Sequence, residues 1–90
     1  MTYIGDEIAR ERKAARLTSK RVAGITGLSP QFIGDVQHGR RIPSLETAWL
    51  IAQAFPDADR GRWAWLVIRD LYGDAMFDEL WSYAVKSGVK

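Results

Sequence analysis

Basic side chains are concentrated in the first half of this 90-residue chain. Residues 1–45 carry eight Lys/Arg against four Asp/Glu, a net of +4, whereas residues 46–90 carry five against seven, a net of −2. Gathered guanidinium and ammonium groups create a positive potential that attracts polyanions. The pattern therefore predicts a polyanion-binding side and, opposite it, a side that faces solvent or a partner.

Residues for other kinds of chemistry are missing from the sequence. There is no cysteine, which excludes disulfides and thiolate metal ligands and is typical of a reducing compartment. The single histidine, His38, is too few for a histidine-based zinc site. We find no phosphate-binding glycine loop and no recognisable nucleophile–base pair, so we expect no enzyme, cofactor or metal. The longest apolar run, residues 63–68, is far too short to span a membrane, and we expect a cytoplasmic protein.

The elements that position the basic side chains are predicted to be helices, because helix formers dominate and no stretch alternates at period two. Thr18 or Ser19 caps the second helix, and Gly27 interrupts the pattern after it. Ser29-Pro30 marks the next start, since serine is a favoured N-cap and proline is favoured in the first turn. The predicted helices span about residues 4–15, 19–26, 30–38, 45–55, 60–71 and 75–86.

Residues 19–38 have the layout of a helix-turn-helix, in which a tight turn at a glycine joins two short helices. Ala23 is small where the helices cross, and Gly27 supplies the positive φ that the turn needs. The remaining core positions, which fix the angle between the helices, are Val22, Leu28, Ile33 and Val36. Because six positions agree in one register, the sequence predicts an all-α domain with a helix-turn-helix at about residues 19–38.

The sequence from Ile4 to about Phe55 resembles the XRE family, the lambda-repressor-like DNA-binding domains of bacterial and phage regulators. The resemblance rests on Ile4-Gly5-x-x-Ile8-x-x-x-Arg12, on Leu17-Thr18, on Gly27-Leu28-Ser29-Pro30-Gln31-Phe32-Ile33, and on Gly39-Arg40-Arg41-Ile42-Pro43-Ser44-Leu45-Glu46-Thr47. It implies a lambda-repressor-like fold of five or six helices, sequence-specific binding in the DNA major groove, and a homodimer on an inverted repeat. Several relatives have a glutamate in place of Gln37 that pairs with the arginine matching Arg12, so we expect an Arg12–Gln37 hydrogen bond here.

The resemblance also assigns residues to double-stranded DNA. A recognition helix presents its N-terminal residues to base edges, and the predicted base-reading residues are Pro30, Gln31, Phe32, Gly34 and Asp35. Gln31 can pair bidentately with adenine, whereas Phe32 either contacts a thymine methyl or packs on the second helix. The predicted phosphate contacts are Ser19, Lys20, Arg21, His38, Arg40 and Arg41.

The last third of the chain is rich in tryptophan, and its first helix is apolar around most of its circumference. Such a helix must be covered on both sides. We expect residues 57–90 to complete one domain with the helix-turn-helix core of residues 1–56. The predicted dimer interface consists of Trp63, Trp65, Ile68, Phe77, Leu80 and Trp81. The alternative is that the last helix folds back and covers its neighbour within one chain.

Two functions fit these predictions. The first is a homodimeric transcriptional repressor of bacterial or phage origin that reads an inverted-repeat operator and is associated with the nucleoid when bound to DNA. The second is an antitoxin-like module that binds DNA through the same helix and holds a partner protein, a toxin or an anti-repressor, with its Trp-rich helices. Co-purification of a stoichiometric partner would favour the second.

Overall fold

The computed structural model describes residues 2–86, which form five α-helices and no β-strand. The helices are α1 (Tyr3–Ala14), α2 (Ser19–Thr26), α3 (Pro30–Gln37), α4 (Leu45–Ala52) and α5 (Arg60–Lys86). The backbone of Gly73 is non-helical (φ 84°, ψ 168°) and divides α5 into residues 60–72 and 74–86. The lambda-repressor-like all-α fold is confirmed. The break at Gly73 lies between the two helices predicted at about residues 60–71 and 75–86. Residue 1 and residues 87–90, the outer ends of the predicted domain ranges, lie outside the described residues.

The first four helices begin at side-chain caps. In each case a hydroxyl accepts a hydrogen bond from the backbone N–H three residues later, which satisfies one donor that the helix leaves unpaired. The capping residues are Thr2, Thr18, Ser29 and Ser44. Gly27 ends α2 with φ 79°, as the turn requires. These local features fix where α2 stops and α3 starts.

One hydrophobic core receives side chains from all five helices. Among its fully buried residues are Ile4, Ile8, Val22, Ile33, Val36, Ile51, Trp63 and Val67. The ring of Trp63 lies 6.0 Å from that of Phe55, just beyond α4. Burial of each aliphatic side chain contributes roughly 1.5–3 kcal/mol to folding. The first half of α5 therefore completes the core on which the helix-turn-helix rests.

Hydrogen bonds link α5 to the start of α1. The two carboxylate oxygens of Asp70 accept hydrogen bonds from the backbone N–H groups of Tyr3 and Ile4, each at 2.8 Å. These donors belong to the first turn of α1 and have no partner within that helix. Asp70 is thus a second cap for α1, supplied from the other end of the chain.

Glu7 forms a second polar link between the same two helices. It is 6% exposed and accepts hydrogen bonds from Arg10 and from Arg62, whose Nε lies 3.1 Å away. Burial raises the pKa of Glu7, but the hydrogen bonds and charges of the two arginines outweigh burial and hold the pKa below its ordinary value. The buried carboxylate is therefore stabilised in its ionised form.

The second half of α5 folds back on the first half. Trp65 makes edge-to-face contacts with Phe77 and Trp81, with 5.5 Å between ring centroids in both pairs. Arg69 lies over the rings of Tyr3 and Phe77 at 4.5 and 4.7 Å. Residues 74–86 therefore cover residues 60–72 within one chain, which is the alternative left open above.

This packing corrects one part of the predicted dimer interface. Trp63 has no exposed surface, because it is part of the hydrophobic core, and it is not available to a partner. Trp65, Ile68 and Phe77 are half-buried. Leu80 and Trp81 remain 39% and 50% exposed.

None of the described helices combines the length and the apolar character needed to cross a bilayer.

Candidate nucleic-acid interface

Helix α3 lies at the surface, and its predicted reading residues are exposed or half-buried. Ser29 caps its start and Pro30 occupies its first turn. Pro30 and Gln31 are exposed, and the remaining predicted readers, Phe32, Gly34 and Asp35, are half-buried. The opposite face of α3 is anchored in the core by Ile33 and Val36. The helix is thus held rigidly by one face while the other stays accessible.

The predicted phosphate contacts form two groups beside α3. One group is at the start of α2, where Lys20 and Arg21 are exposed and Ser19 is half-buried. The other follows the end of α3 and consists of the exposed residues His38, Arg40 and Arg41. Because α2 and α3 pack against each other, the two groups are carried by one rigid unit.

A chain of side-chain hydrogen bonds connects α1, α3 and α2. Arg12 Nε donates to Gln37 Oε1 at 2.8 Å, which confirms the expected bond between these residues. Gln37 Nε2 donates to Ser19 Oγ, also at 2.8 Å. A second donor of Arg12, Nη1, bonds the carbonyl oxygen of Leu17 at 2.9 Å. The Ser19 hydroxyl therefore accepts a bond from the protein and keeps its own proton for another acceptor.

The carboxylate of Asp35 is paired inside the protein. Arg40 Nε lies 3.0 Å from Asp35 Oδ1, and the arginine side chain is 62% exposed. A carboxylate on a reading helix repels DNA phosphates, and this ion pair reduces the repulsion. The sequence predicts base reading for Asp35 and a phosphate contact for Arg40, but no local pattern indicates that the two side chains meet.

Phe32 and Arg41 are also in contact. The guanidinium carbon of Arg41 lies 5.3 Å from the centroid of the Phe32 ring, within the range of a cation–π interaction. Phe32 packs partly against the core, so its ring is a fixed platform. The two residues line a surface concavity of about 270 Å³ together with Ser29, Gln31 and Asp35. The structure thus joins three predicted base-reading side chains to one predicted phosphate contact.

The described part of the chain contains no cluster of side chains suited to bind a metal ion. Within residues 2–86, no three His, Cys, Asp or Glu side chains are grouped so as to hold an ion. The side chains of this surface are mainly amides, hydroxyls and cationic groups, and the carboxylate of Asp35 is ion-paired with Arg40. Such groups bind anions and hydrogen-bonding edges.

The chain is similar to known helix-turn-helix proteins. The helix-turn-helix family profile matches residues 8–56, more than half of the chain. A similar protein is the uncharacterized HTH-type transcriptional regulator y4dJ of Sinorhizobium fredii (strain NBRC 101917 / NGR234), which is 35% identical over 51 residues. The aligned residues make up 57% of this chain and 66% of that protein, so the chain spans just under two thirds of its relative. No solved structure matches the chain significantly. The order of the helices and the αL turn at Gly27 are consistent with this profile match. The chain belongs to the XRE-type helix-turn-helix family.

Proposed function

We propose that this protein is a transcriptional regulator that binds double-stranded DNA sequence-specifically, with α3 in the major groove. One observation carries the proposal: Gln31 is exposed at the second position of α3, directly after a start capped by Ser29. In helix-turn-helix proteins, residues at this end of the second helix contact base edges. A glutamine there forms two hydrogen bonds with adenine, at N6 and N7. The similar protein of S. fredii is named as a transcriptional regulator.

The neighbours of Gln31 on α3 complete the proposed reading surface. Pro30 holds the start of the helix, Phe32 and Asp35 flank Gln31 in the concavity, and Gly34 lies one turn further along. A Cβ built on Gly34 meets nothing within 4 Å inside the protein. The glycine is therefore not required by packing, and its lack of a side chain lets the DNA approach the helix backbone.

Five of the six predicted phosphate contacts, all except Arg41, are assigned to the DNA backbone. Ser19, Lys20 and Arg21 open α2, where the free backbone N–H groups and the helix dipole favour an anion. His38 and Arg40 are exposed just after the end of α3, where their N–H groups can donate to phosphate oxygens. Phosphate contacts release counterions, so we expect the affinity to decrease steeply with salt.

The proposal is tested by selecting bound duplexes from a random pool with the full 90-residue chain. We expect enrichment of an inverted repeat whose half-sites are centred about one helical turn apart. Enrichment of no sequence, or equal retention of all sequences at low salt, would overturn sequence-specific recognition.

We further propose that the protein represses as a homodimer. Seven large apolar side chains between Leu71 and Val85 are at least 39% exposed. Met76, Leu80 and Tyr83 share one face of residues 74–86, because they are separated by four and three positions. We call these three residues the outer stripe. Paired outer stripes would bury this surface and present two copies of α3 to an inverted repeat.

Sedimentation equilibrium tests the dimer. We expect a dimer for the wild-type chain, a monomer for Leu80→Glu, and a dimer for Ser82→Glu, which adds the same charge outside the stripe. A wild-type monomer would contradict the homodimer. If native cells then yielded the monomer with a stoichiometric second protein, the antitoxin-like function would be favoured in its place.

A further inference from the structure

Arg40 and Arg41 are adjacent in the chain, but their guanidinium groups have different surroundings. Arg40 is ion-paired with Asp35 at 3.0 Å, so its positive charge is partly neutralised within the protein. Arg41 has no ion-pair partner among residues 2–86 and lies over the ring of Phe32, 5.3 Å from its centroid. An aromatic face attracts a guanidinium group while leaving its N–H donors free at the edge. Arg41 is therefore oriented and still able to bind.

Arg41 also lies near the reading end of α3, although it follows that helix in the chain. Phe32 and Asp35 are three residues apart and share one face of α3. Arg40 contacts Asp35, and Arg41 contacts Phe32 one turn nearer the start of the helix. The concavity that Arg41 lines also contains Gln31. Its guanidinium group is thus beside the residue that carries the proposed base recognition.

We propose that Arg41 is a specificity-determining residue that reads a guanine in the major groove, and that Phe32 is the residue that positions its guanidinium group. The proposal rests on the proposed function, since it requires duplex DNA on α3. The fork of an arginine donates two hydrogen bonds to O6 and N7 of guanine, the commonest specific contact between proteins and DNA. Gln31 and Arg41 would then read an adenine and a guanine at nearby base pairs.

The chemistry of the contact separates base reading from a phosphate contact. Loss of a phosphate contact weakens binding to all sequences about equally, whereas loss of a base contact removes the preference at one base pair. Arg41→Met keeps an unbranched side chain and removes every N–H donor that could read guanine. Lysine is unsuitable, because its ammonium group can also donate to O6 and N7 of guanine. Arg21→Met removes the same donors from an exposed, proposed phosphate contact at the start of α2 and is the matched control: it should weaken binding to all sequences and keep the preference for guanine.

The experiment compares duplexes selected from a random pool by the wild-type chain, Arg41→Met and Arg21→Met, with circular dichroism melts to verify folding. We expect the wild type and Arg21→Met to enrich a guanine that Arg41→Met does not. In titrations with duplexes that differ only at this base, the wild type and Arg21→Met should prefer guanine by about fivefold or more, and Arg41→Met by less than about twofold.

Variants at Phe32 test its positioning role. Phe32→Leu keeps an apolar side chain but removes the aromatic face, and we expect it to reduce the preference for guanine. Phe32→Tyr should restore that preference, because it retains the ring.

Two negative outcomes can be distinguished. If Arg41→Met enriched the same bases as the wild type at every position, reading by Arg41 would be overturned while the proposed function stood. If the wild type enriched no sequence, both would be overturned.

Discussion

The side-chain amide of Gln37 donates a hydrogen bond to the hydroxyl of Ser19, with 2.8 Å between Nε2 and Oγ. Gln37 is 9% exposed, and its carbonyl oxygen accepts a bond from Arg12, so the orientation of the amide is fixed. The Ser19 proton is left to donate outward, toward the proposed DNA phosphate. A glutamate at this position would accept that proton, because a carboxylate has no N–H to donate.

We predict that Gln37→Glu weakens DNA binding by about 1 kcal/mol, the size of one hydrogen bond, without lowering the free energy of unfolding. The carboxylate gains an ion pair with Arg12 but turns the Ser19 hydroxyl inward. Fluorescence anisotropy with a bound duplex measures the affinity, and a thermal melt measures stability. Ser19→Ala should cost less affinity in the Gln37→Glu background than in the wild type. Equal costs in the two backgrounds would show that the two residues are not coupled.

Gly5 and Gly24 should respond to alanine with opposite signs. A Cβ on Gly5 would overlap the carbonyl oxygen of Val36, because α1 and α3 approach closely there. A Cβ on Gly24 meets nothing within 4 Å. We expect Gly5→Ala to lower the free energy of unfolding by about 1–3 kcal/mol and Gly24→Ala to raise it by about 1 kcal/mol. Urea denaturation of both variants checks this, and stabilisation by Gly5→Ala would contradict the close approach.

Asp70→Ala should destabilise the fold by roughly 0.5–2 kcal/mol, the range measured for helix caps. The substitution leaves the N–H groups of Tyr3 and Ile4 without their acceptor. Denaturant unfolding gives the loss, and hydrogen exchange should be faster at these two amides. Asp78→Ala, at an exposed carboxylate on the same helix, serves as the control. An equal loss in the control would mean that Asp70 acts only through its charge.

Glu7 should make stability depend on acid pH. Its pKa in the folded protein lies below the ordinary value of 4.5, so its contribution is complete above that pH and is lost as the pH decreases through the folded pKa. We therefore expect the Tm of the wild type to decrease more than the Tm of Glu7→Gln as the pH is lowered from about 6 to about 3. Glu46→Gln, at an exposed carboxylate, should follow the wild type. Parallel curves for the wild type and Glu7→Gln would rule out this contribution.

The helix-turn-helix was predictable because its signals are local. The cap at Ser29, the proline after it and the αL glycine at 27 each act within a few residues, and the structure has all three. The Arg12–Gln37 bond was expected only from the family resemblance, since 25 residues separate the two. The cap that Asp70 supplies to α1 joins residues more than 60 positions apart, and no local pattern indicates it.

The tryptophans show a different limit. Trp63 and Val67 are four residues apart and share the face of α5 that enters the core, whereas Trp65 points to the other side and meets Trp81. The sequence shows that this helix is apolar all round, but not which face the core takes. Similarly, Arg40 and Arg41 have the same residue type, and only the path of the loop after α3 decides what each one contacts.

The affinity of the wild type and of Gln31→Ala for a selected duplex and for a shuffled duplex tests most directly whether α3 reads DNA. We predict that Gln31→Ala weakens binding to the selected duplex by about 1–3 kcal/mol and leaves binding to the shuffled duplex unchanged. An equal loss on both duplexes, or no loss on either, would contradict base reading by Gln31 at the start of α3.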